Sequence, residues 1–220
     1  MKIKIAFIFF LSFCQLSFSQ IEEWNIYDFD SIVSIEMPYD VYETDTIIKY
    51  KKIYEIYSEN DSIEFSVRKV YLGKLYSNIE VTPLPKDNKS LEKYYLNLIE
   101  VLAELVEAYD YKVDSYQPIF KFGLKGYKLI FRDDDQILIQ ELELFLVNKN
   151  FYSFSYTNVN GLNIDDKRQF FNSIIFDKQQ ELKQIYGSKI PYKTFVFVLL
   201  FILFLSFFIK SKPRRRRDLN

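Results

Sequence analysis

The most extreme run of apolar positions in the chain lies between Thr194 and Ile209, TFVFVLLFILFLSFFI, which carries no charge. As a helix, the stretch from Tyr192 to Ile209 would extend about 27 Å, close to the roughly 30 Å hydrocarbon thickness of a membrane. A buried helix of a soluble domain would show a polar stripe, whereas this run is apolar all round. The pattern therefore predicts a transmembrane helix, residues 193–210, that ends in a lysine at each interface.

The start of the chain shows the three-part pattern of a secretion signal, residues 1–19. A basic start precedes a short apolar core, and Ser17 and Ser19 occupy the two small positions before a cleavage site, so we expect the mature chain to begin at Gln20. The apolar core is too short to be a second span. Lipidation of Cys14 is the other alternative, but it would need a small residue where this chain has Phe13.

Basic residues follow the predicted span, namely Lys210, Lys212 and the run from Arg214 to Arg217. Because such clusters stay on the cytoplasmic side, the tail, residues 211–220, should be cytoplasmic and the rest of the chain should lie outside. We therefore expect a single-pass protein of the cell membrane with an extracytoplasmic N-terminus, in the periplasm or the extracellular space. The alternative is a sorting signal, removed when a transpeptidase attaches the domain to the surface, but GSKIPYKT before the span supplies no motif for one.

Between the signal and the span we expect one extracytoplasmic domain, residues 20–176, and a polar stalk, residues 177–192, which is helical in its first part. Apolar and polar side chains alternate over 31–37, which predicts a strand. The next pattern predicts a β-hairpin with strands at 46–57 and 63–72 around a polar turn.

A helix follows the hairpin, with Ser90 as its N-cap and Glu92 favourable in its first turn. Its apolar positions recur at steps of three and four: Leu91, Tyr95, Leu98, Leu102, Leu105 and Tyr109. We therefore expect this face to pack on a sheet and to bury Leu98, Leu102 and Leu105.

After the helix, strand patterns return as an antiparallel meander. Its strands are expected near 116–122, 126–131, 137–147 and 151–157. A short amphipathic helix, capped by Asp165 or Asp166 and containing Phe170 and Phe171, closes the domain. The order of strands, helix, strands and helix predicts an α+β domain built on one central antiparallel sheet with packed helices.

This order of elements resembles that of PsbP-like domains, which are small extracytoplasmic sandwiches of a central antiparallel sheet and helices. The resemblance covers Ile21 to Phe176, from the strand that ends in Met37-Pro38, through the hairpin and the helix that begins near Ser90, to the closing helix. It implies a binding function more than a catalytic one, because the family contains auxiliary and assembly subunits of membrane complexes. It transfers no functional residue to this chain.

Two clusters of charge raise the question of an ion site. Three consecutive aspartates, 133–135, could ligate a hard cation, but they lack the glycine and the spaced ligands of a calcium loop, so a hairpin turn is the simpler interpretation. Lys49, Lys51 and Lys52 could bind an anion, although a solvated sheet face explains them more simply. The sequence therefore predicts no metal, cofactor or catalytic residue.

The residue types present also limit which catalytic mechanisms are open to the protein. The chain has no histidine, and its one cysteine lies in the predicted signal, which removes the usual acid–base, zinc and thiol mechanisms. Two carboxylates acting as acid and base remain possible, so an extracytoplasmic carboxylate-based hydrolase is the alternative function. The leading expectation is a membrane-anchored interaction domain, an accessory or assembly subunit of an envelope complex, and not an enzyme.

Charge and tyrosine content point to the kind of partner. The segment from Gln20 to Tyr192 holds 20 basic and 29 acidic residues, a net charge near -9, so nucleic acid and anionic lipid head groups should be repelled. The chain holds 18 tyrosines, which suit protein interfaces because they combine contact area with a polar tip. We expect a protein partner to meet a patch on the first hairpin, formed by Tyr50, Tyr54, Tyr57 and Tyr71.

Overall fold

The structure is a computed structural model, and it describes residues 24–38, 40–48, 51–72, 84–108, 110–177 and 179–186. The predicted signal, span and tail lie outside these residues. Within the described ranges, neither helix has the length and apolar character needed to cross a membrane.

The described elements form two antiparallel sheets and two helices. In chain order they are β1 (Trp24–Asp28), β2 (Val33–Pro38), β3 (Tyr42–Ile48), β4 (Lys51–Glu59), β5 (Ile63–Tyr71), α1 (Asn88–Glu107), β6 (Lys112–Lys121), β7 (Leu124–Arg132), β8 (Leu138–Val147), β9 (Asn150–Asn158), α2 (Ile164–Ser173) and β10 (Ile175–Phe176). The large sheet has the order β3-β4-β5-β9-β8-β7-β6, and the small sheet has the order β1-β2-β10.

The large sheet is covered on both faces, which explains why its central strands β8 and β9 are buried at most positions, including consecutive ones. On one face, α1 packs over a core that includes Leu144 and Leu146. On the other face, the small sheet and α2 enclose a second core that includes Phe145 and Phe154. Since neighbouring residues of a strand point to opposite faces, these two strands carry apolar side chains for both cores.

Helix α1 begins earlier than the sequence indicates. Its N-cap is Asp87, whose side chain accepts the Ser90 backbone N–H at 2.6 Å, while the Ser90 hydroxyl accepts the Asp87 N–H at 2.9 Å. Ser90 as N-cap is therefore wrong, because this reciprocal capping box places Ser90 at the third position of the helix. Leu98 and Leu102 are buried as expected, but Leu105 is half-buried, because it flanks the buried stripe that continues through Val106.

The second sheet corrects the expectation of a single sheet. Asp30 ties the two sheets together, since its carboxylate accepts the Tyr152 hydroxyl at 2.8 Å, pairs with Lys69 at 2.6 Å and accepts the Val33 N–H at 2.9 Å. The short strand β10 follows α2 directly and pairs with β2. Helix α2 is capped by Asn163, so the expected cap at Asp165 or Asp166 is also wrong.

The predicted first strand of the hairpin, 46–57, is two strands. β3 and β4 pair antiparallel, with Tyr42 opposite Tyr57 and Ile48 opposite Lys51. The sequence between the two strands has neither glycine nor proline, so its pattern gives no sign that one strand ends there.

The strand directions give the large sheet two distinct ends. At the proximal end, as we name it, lie the β6–β7 turn at residues 122–123, the β8–β9 turn at 148–149, the start of α1 and the last described segment, 179–186. At the distal end lie the turns at 60–62 and 133–137 and the connection to α2. Strand β8 has ten residues, so the two ends are about 30 Å apart.

Candidate functional site

The four tyrosines predicted as a patch do not share one surface. Tyr54 and Tyr71 lie on the face of the large sheet that bears the small sheet, and Tyr57 lies on the face that bears α1, because their positions alternate along paired strands. All three are half-buried, and Tyr50 lies outside the described residues. The predicted patch therefore has its described members on both sides of the sheet.

Tyr54 is held by contacts within the domain. Its ring stacks on Phe29 with centroids 4.9 Å apart, and its hydroxyl donates to Glu43 at 3.1 Å. Burial, followed by the hydrogen bond and the charge of Glu43, raises the pKa of Tyr54 above its ordinary value. These contacts favour a role in joining β3 and β4 to the small sheet.

Tyr57 belongs to a more accessible pair. It stacks on Tyr42, the first residue of β3, with ring centroids 5.4 Å apart and planes at 29°. Tyr42 is 51% exposed. Burial and the neighbouring Glu59 raise the pKa of Tyr57, so its hydroxyl stays protonated at neutral pH and can donate a hydrogen bond. We name this pair the tyrosine stack.

Hydroxyl side chains lie beside the tyrosine stack on the same face of the sheet. Ser66 is the cross-strand partner of Tyr57, and Ser155 is the partner of Ser66, so small hydroxyl side chains continue the row. Arg68 and Glu55 form an ion pair on the same face. The arrangement offers two aromatic rings next to hydrogen-bonding groups, the composition that protein interfaces favour. Sequence reasoning missed Tyr42, although the alternation in YETDTII would indicate it once β3 and β4 are recognised as two separate strands.

A buried charge cluster lies under α2, on the opposite face. Glu141 pairs with Lys128 and Lys167, both at 2.9 Å, and Glu143 pairs with Lys121 at 2.7 Å. The two glutamate side chains are only 3% and 5% exposed. The Oε2 atoms of both glutamates lie close to their lysines but outside hydrogen-bonding angles. The attraction at these two contacts is therefore Coulombic.

The electrostatics of this charge cluster favour a structural role. Burial raises the pKa of Glu143, and the nearby Lys121 acts in the opposite direction. Lys167 belongs to α2, and Lys121 also donates to the Phe171 carbonyl at 2.8 Å, so the cluster fastens α2 to β6, β7 and β8. A carboxylate that worked on a substrate would need a route to it, and neither glutamate has an exposed side chain.

Residues of both charge clusters considered as ion sites have contacts within the domain, and Lys49 lies outside the described residues. Asp133 accepts the Ile137 N–H at 2.8 Å, which is the role of an aspartate in a turn. Lys51 is buried, its pKa is lowered by burial, and its ammonium reaches the Leu72 carbonyl at 3.5 Å, whereas the exposed Lys52 pairs with Asp45 at 3.0 Å. In the described part of the chain, no three metal-ligating side chains come together.

The segment predicted to start a helical stalk lies on the proximal end instead. Gln184 donates to the carbonyls of Lys125 and Leu146, at 2.8 and 2.9 Å, and accepts the Lys125 N–H at 2.8 Å. Tyr186 accepts the Lys149 N–H at 2.7 Å, and its own N–H donates to the Pro85 carbonyl at 2.5 Å. Residues 179–186 are not helical, because these partners satisfy their polar groups across the ends of the strands.

Comparisons with known proteins give one similarity of fold. No family model matches the chain, and no curated protein matches it. Among solved structures, the chain is similar to cyanobacterial PsbP (CyanoP) from Synechocystis sp. PCC 6803, with a TM-score of 0.45 and 10% identity over 73% of this chain and 96% of that one. The resemblance to PsbP-like domains expected from the order of elements agrees with this result.

Proposed function

We propose that this chain is a membrane-anchored extracytoplasmic interaction domain, which binds a protein partner as an accessory or assembly subunit of an envelope complex. The observation that carries this proposal is the tyrosine stack at the edge of the large sheet. Tyr42 and Tyr57 present aromatic surface and hydroxyl groups together, and Tyr42 is the more exposed of the two. Such side chains give large contact area at little cost in conformational entropy.

The position of the stack suits a partner outside the membrane. Tyr42 and Tyr57 lie toward the distal end, near the turn at 60–62, whereas the last described residue before the predicted span, Tyr186, lies at the proximal end. A domain anchored by a helix at 193–210 would therefore carry the stack away from the bilayer. Protease added to intact cells or spheroplasts should remove this domain and leave the cytoplasmic tail protected.

The partner is tested by co-purification of the full chain in mild detergent. We expect the double substitution Tyr42→Ser, Tyr57→Ser to abolish recovery of the partner, because it removes both rings without touching either core. Tyr116→Ser is the matched control, since Tyr116 is equally exposed but lies on β6, at the opposite edge of the sheet. Melting temperatures should be similar for all three proteins, and unchanged recovery with the double variant would contradict the role of the stack.

A carboxylate-based hydrolase is the second candidate, favoured by one observation. Glu141 and Glu143 lie on the same face of β8, and the pKa of Glu143 is raised, as a general acid requires. Against it, three lysines neutralise the pair and α2 covers it. Hydrolysis of a panel of chromogenic glycosides that Glu143→Gln abolished, without loss of the fold, would establish this candidate.

A further inference from the structure

Charge is distributed unequally between the two ends of the domain. At the proximal end, the stretches 84–92, 121–125, 148–149 and 179–186 hold six lysines and three carboxylates: Lys86, Lys89, Lys121, Lys125, Lys149 and Lys183 against Asp87, Glu92 and Glu181. Because Lys121 is already paired with Glu143 of β8, these stretches present a net charge near +2. The side chains of Lys86, Lys89, Lys149 and Lys183 are exposed. The net charge of the whole domain therefore conceals a basic end.

The distal end has the opposite character. Its stretches 59–64, 110–114, 132–137 and 158–166 hold Glu59, Asp61, Glu64, Asp110, Asp114, Asp133, Asp134, Asp135, Asp165 and Asp166 against Lys112 and Arg132. The repulsion from anionic head groups that the net charge predicts should therefore act at the distal end. Over the roughly 30 Å between the ends, salt at physiological strength screens each end from the other, because the Debye length is about 8 Å.

The β6–β7 hairpin brings apolar side chains to the basic end. Phe120, the next-to-last residue of β6, is 72% exposed, and Phe122, at the tip of the hairpin, is 37% exposed and contacts Phe176. Phe122 has a φ of 55° and Gly123 has a φ of 80°, a two-residue turn that usually carries asparagine and glycine. A phenylalanine at such a position costs conformational energy, so the turn is not explained by backbone preference.

The short connection between the domain and the predicted span determines which end of the domain lies near the membrane. Tyr186 is hydrogen-bonded at the proximal end, and the apolar run starts at Thr194, only eight residues later. Eight residues reach at most about 27 Å when fully extended. The proximal end is therefore the end that such a short connection holds at the bilayer surface.

We propose that the proximal end of the domain lies on the outer surface of the bilayer and that the β6–β7 hairpin inserts Phe120 between anionic lipid head groups. This inference rests on the proposed anchoring. Phenylalanine beside lysine is the combination that interfacial membrane contacts use, since the ring enters the boundary layer while the ammonium groups meet lipid phosphates. Contact at this end leaves the tyrosine stack directed outward.

The test uses the full chain with Cys14→Ser, reconstituted in vesicles of phosphatidylcholine and phosphatidylglycerol. One variant carries Phe120→Cys and the matched control carries Ile137→Cys, an exposed apolar position in the turn at the distal end. Each cysteine is labelled with an environment-sensitive fluorophore, and quenching by lipids with spin-labelled chains is measured. We expect the label at position 120 to be quenched at least threefold more than the label at position 137, with emission shifted to the blue.

Each result of this test decides a separate point. Equal quenching at the two positions, in protein that resists extraction at alkaline pH, would overturn the lipid contact and leave the anchor standing. Extraction of the protein at alkaline pH would contradict the anchor itself and the inference with it. A blue shift at position 120 without quenching would mean that a protein surface covers the hairpin, and would overturn the proposal as well.

The basic residues supply a second, independent measurement. Lys86→Glu with Lys149→Glu reverses two exposed charges at the proximal end, and Lys112→Glu is the control at the distal end. The proximal double variant should lose at least half of the quenching at position 120 in anionic vesicles, and the control should lose none. Quenching that ignores both substitutions would refute the electrostatic part of the contact.

Discussion

Helix α1 allows the packing of the domain to be tested by one substitution at positions of different burial. Leu102 is fully buried, at 0% exposure, in the core between α1 and the large sheet, whereas Leu96 on the same helix is 38% exposed. Leu102→Ala removes a buried side chain and leaves a cavity, so it should cost about 3 to 5 kcal/mol. Leu96→Ala makes the same chemical change with little lost burial and should cost about 1 kcal/mol or less.

Both substitutions lie in the interior of one helix, so differences in helix propensity cancel. The free energy of unfolding can be measured by urea titration of the full chain in mild detergent. Trp24 is the only tryptophan of the chain and packs edge-on against Phe65 at 5.3 Å, so its fluorescence reports on the contact between the two sheets.

With a slope of about 2 kcal/mol per molar urea, a difference of about 3 kcal/mol separates the two midpoints by about 1.5 M. Leu105→Ala, at a half-buried position, should give an intermediate midpoint. Equal midpoints for Leu102→Ala and Leu96→Ala would refute the register of α1 on the sheet, whereas a changed slope would indicate an altered unfolded state.

Three further predictions concern the large sheet. Glu141→Gln leaves two lysines without their carboxylate and should lower the free energy of unfolding by about 2 to 3 kcal/mol. This loss is smaller than the loss expected if the two lysines were fully buried. Glu143→Gln should become more stable relative to wild type as pH rises above the ordinary pKa of glutamate, because a pKa raised by folding makes ionisation destabilising; a difference independent of pH would contradict this. Gly126→Ala should cost about 3 kcal/mol, since its Cβ would lie 2.6 Å from the Leu144 carbonyl oxygen; a thermal melt unchanged from wild type would disprove that clash.

Local pattern was enough to find most elements of the described chain. The meander from β6 to β9 was placed to within a few residues, because its strands alternate and its turns contain aspartate, asparagine and glycine. The face of α1 was also correct at Leu98 and Leu102, since helical periodicity alone selects it. The predicted N-cap of α1 lies three residues after the observed one, because the two partners of the capping box, Asp87 and Ser90, are both good N-cap residues.

Other features depend on neighbours that are distant in sequence. The third strand of the small sheet could not be predicted, because β10 has two residues and exists only where β2 offers an edge to pair with. Tyr42 was not recognised as an interface candidate, since its exposure and its contact with Tyr57 follow from the register of β3 on β4. The pairing of Glu141 and Glu143 with three lysines likewise arises from strands and a helix that meet across the sheet.

The sequence by itself determined the pattern of strands and helices, the apolar run that predicts the anchor, and the absence of histidine, because each is a property of composition or of neighbouring positions. Only the tertiary structure decided which end of the domain is basic. Lysines separated by as many as 97 positions, from Lys86 to Lys183, collect at one end because alternate strands run in opposite directions and return their turns to the same place. The net charge of the chain does not show where in the domain the charges lie, and their position follows from the fold.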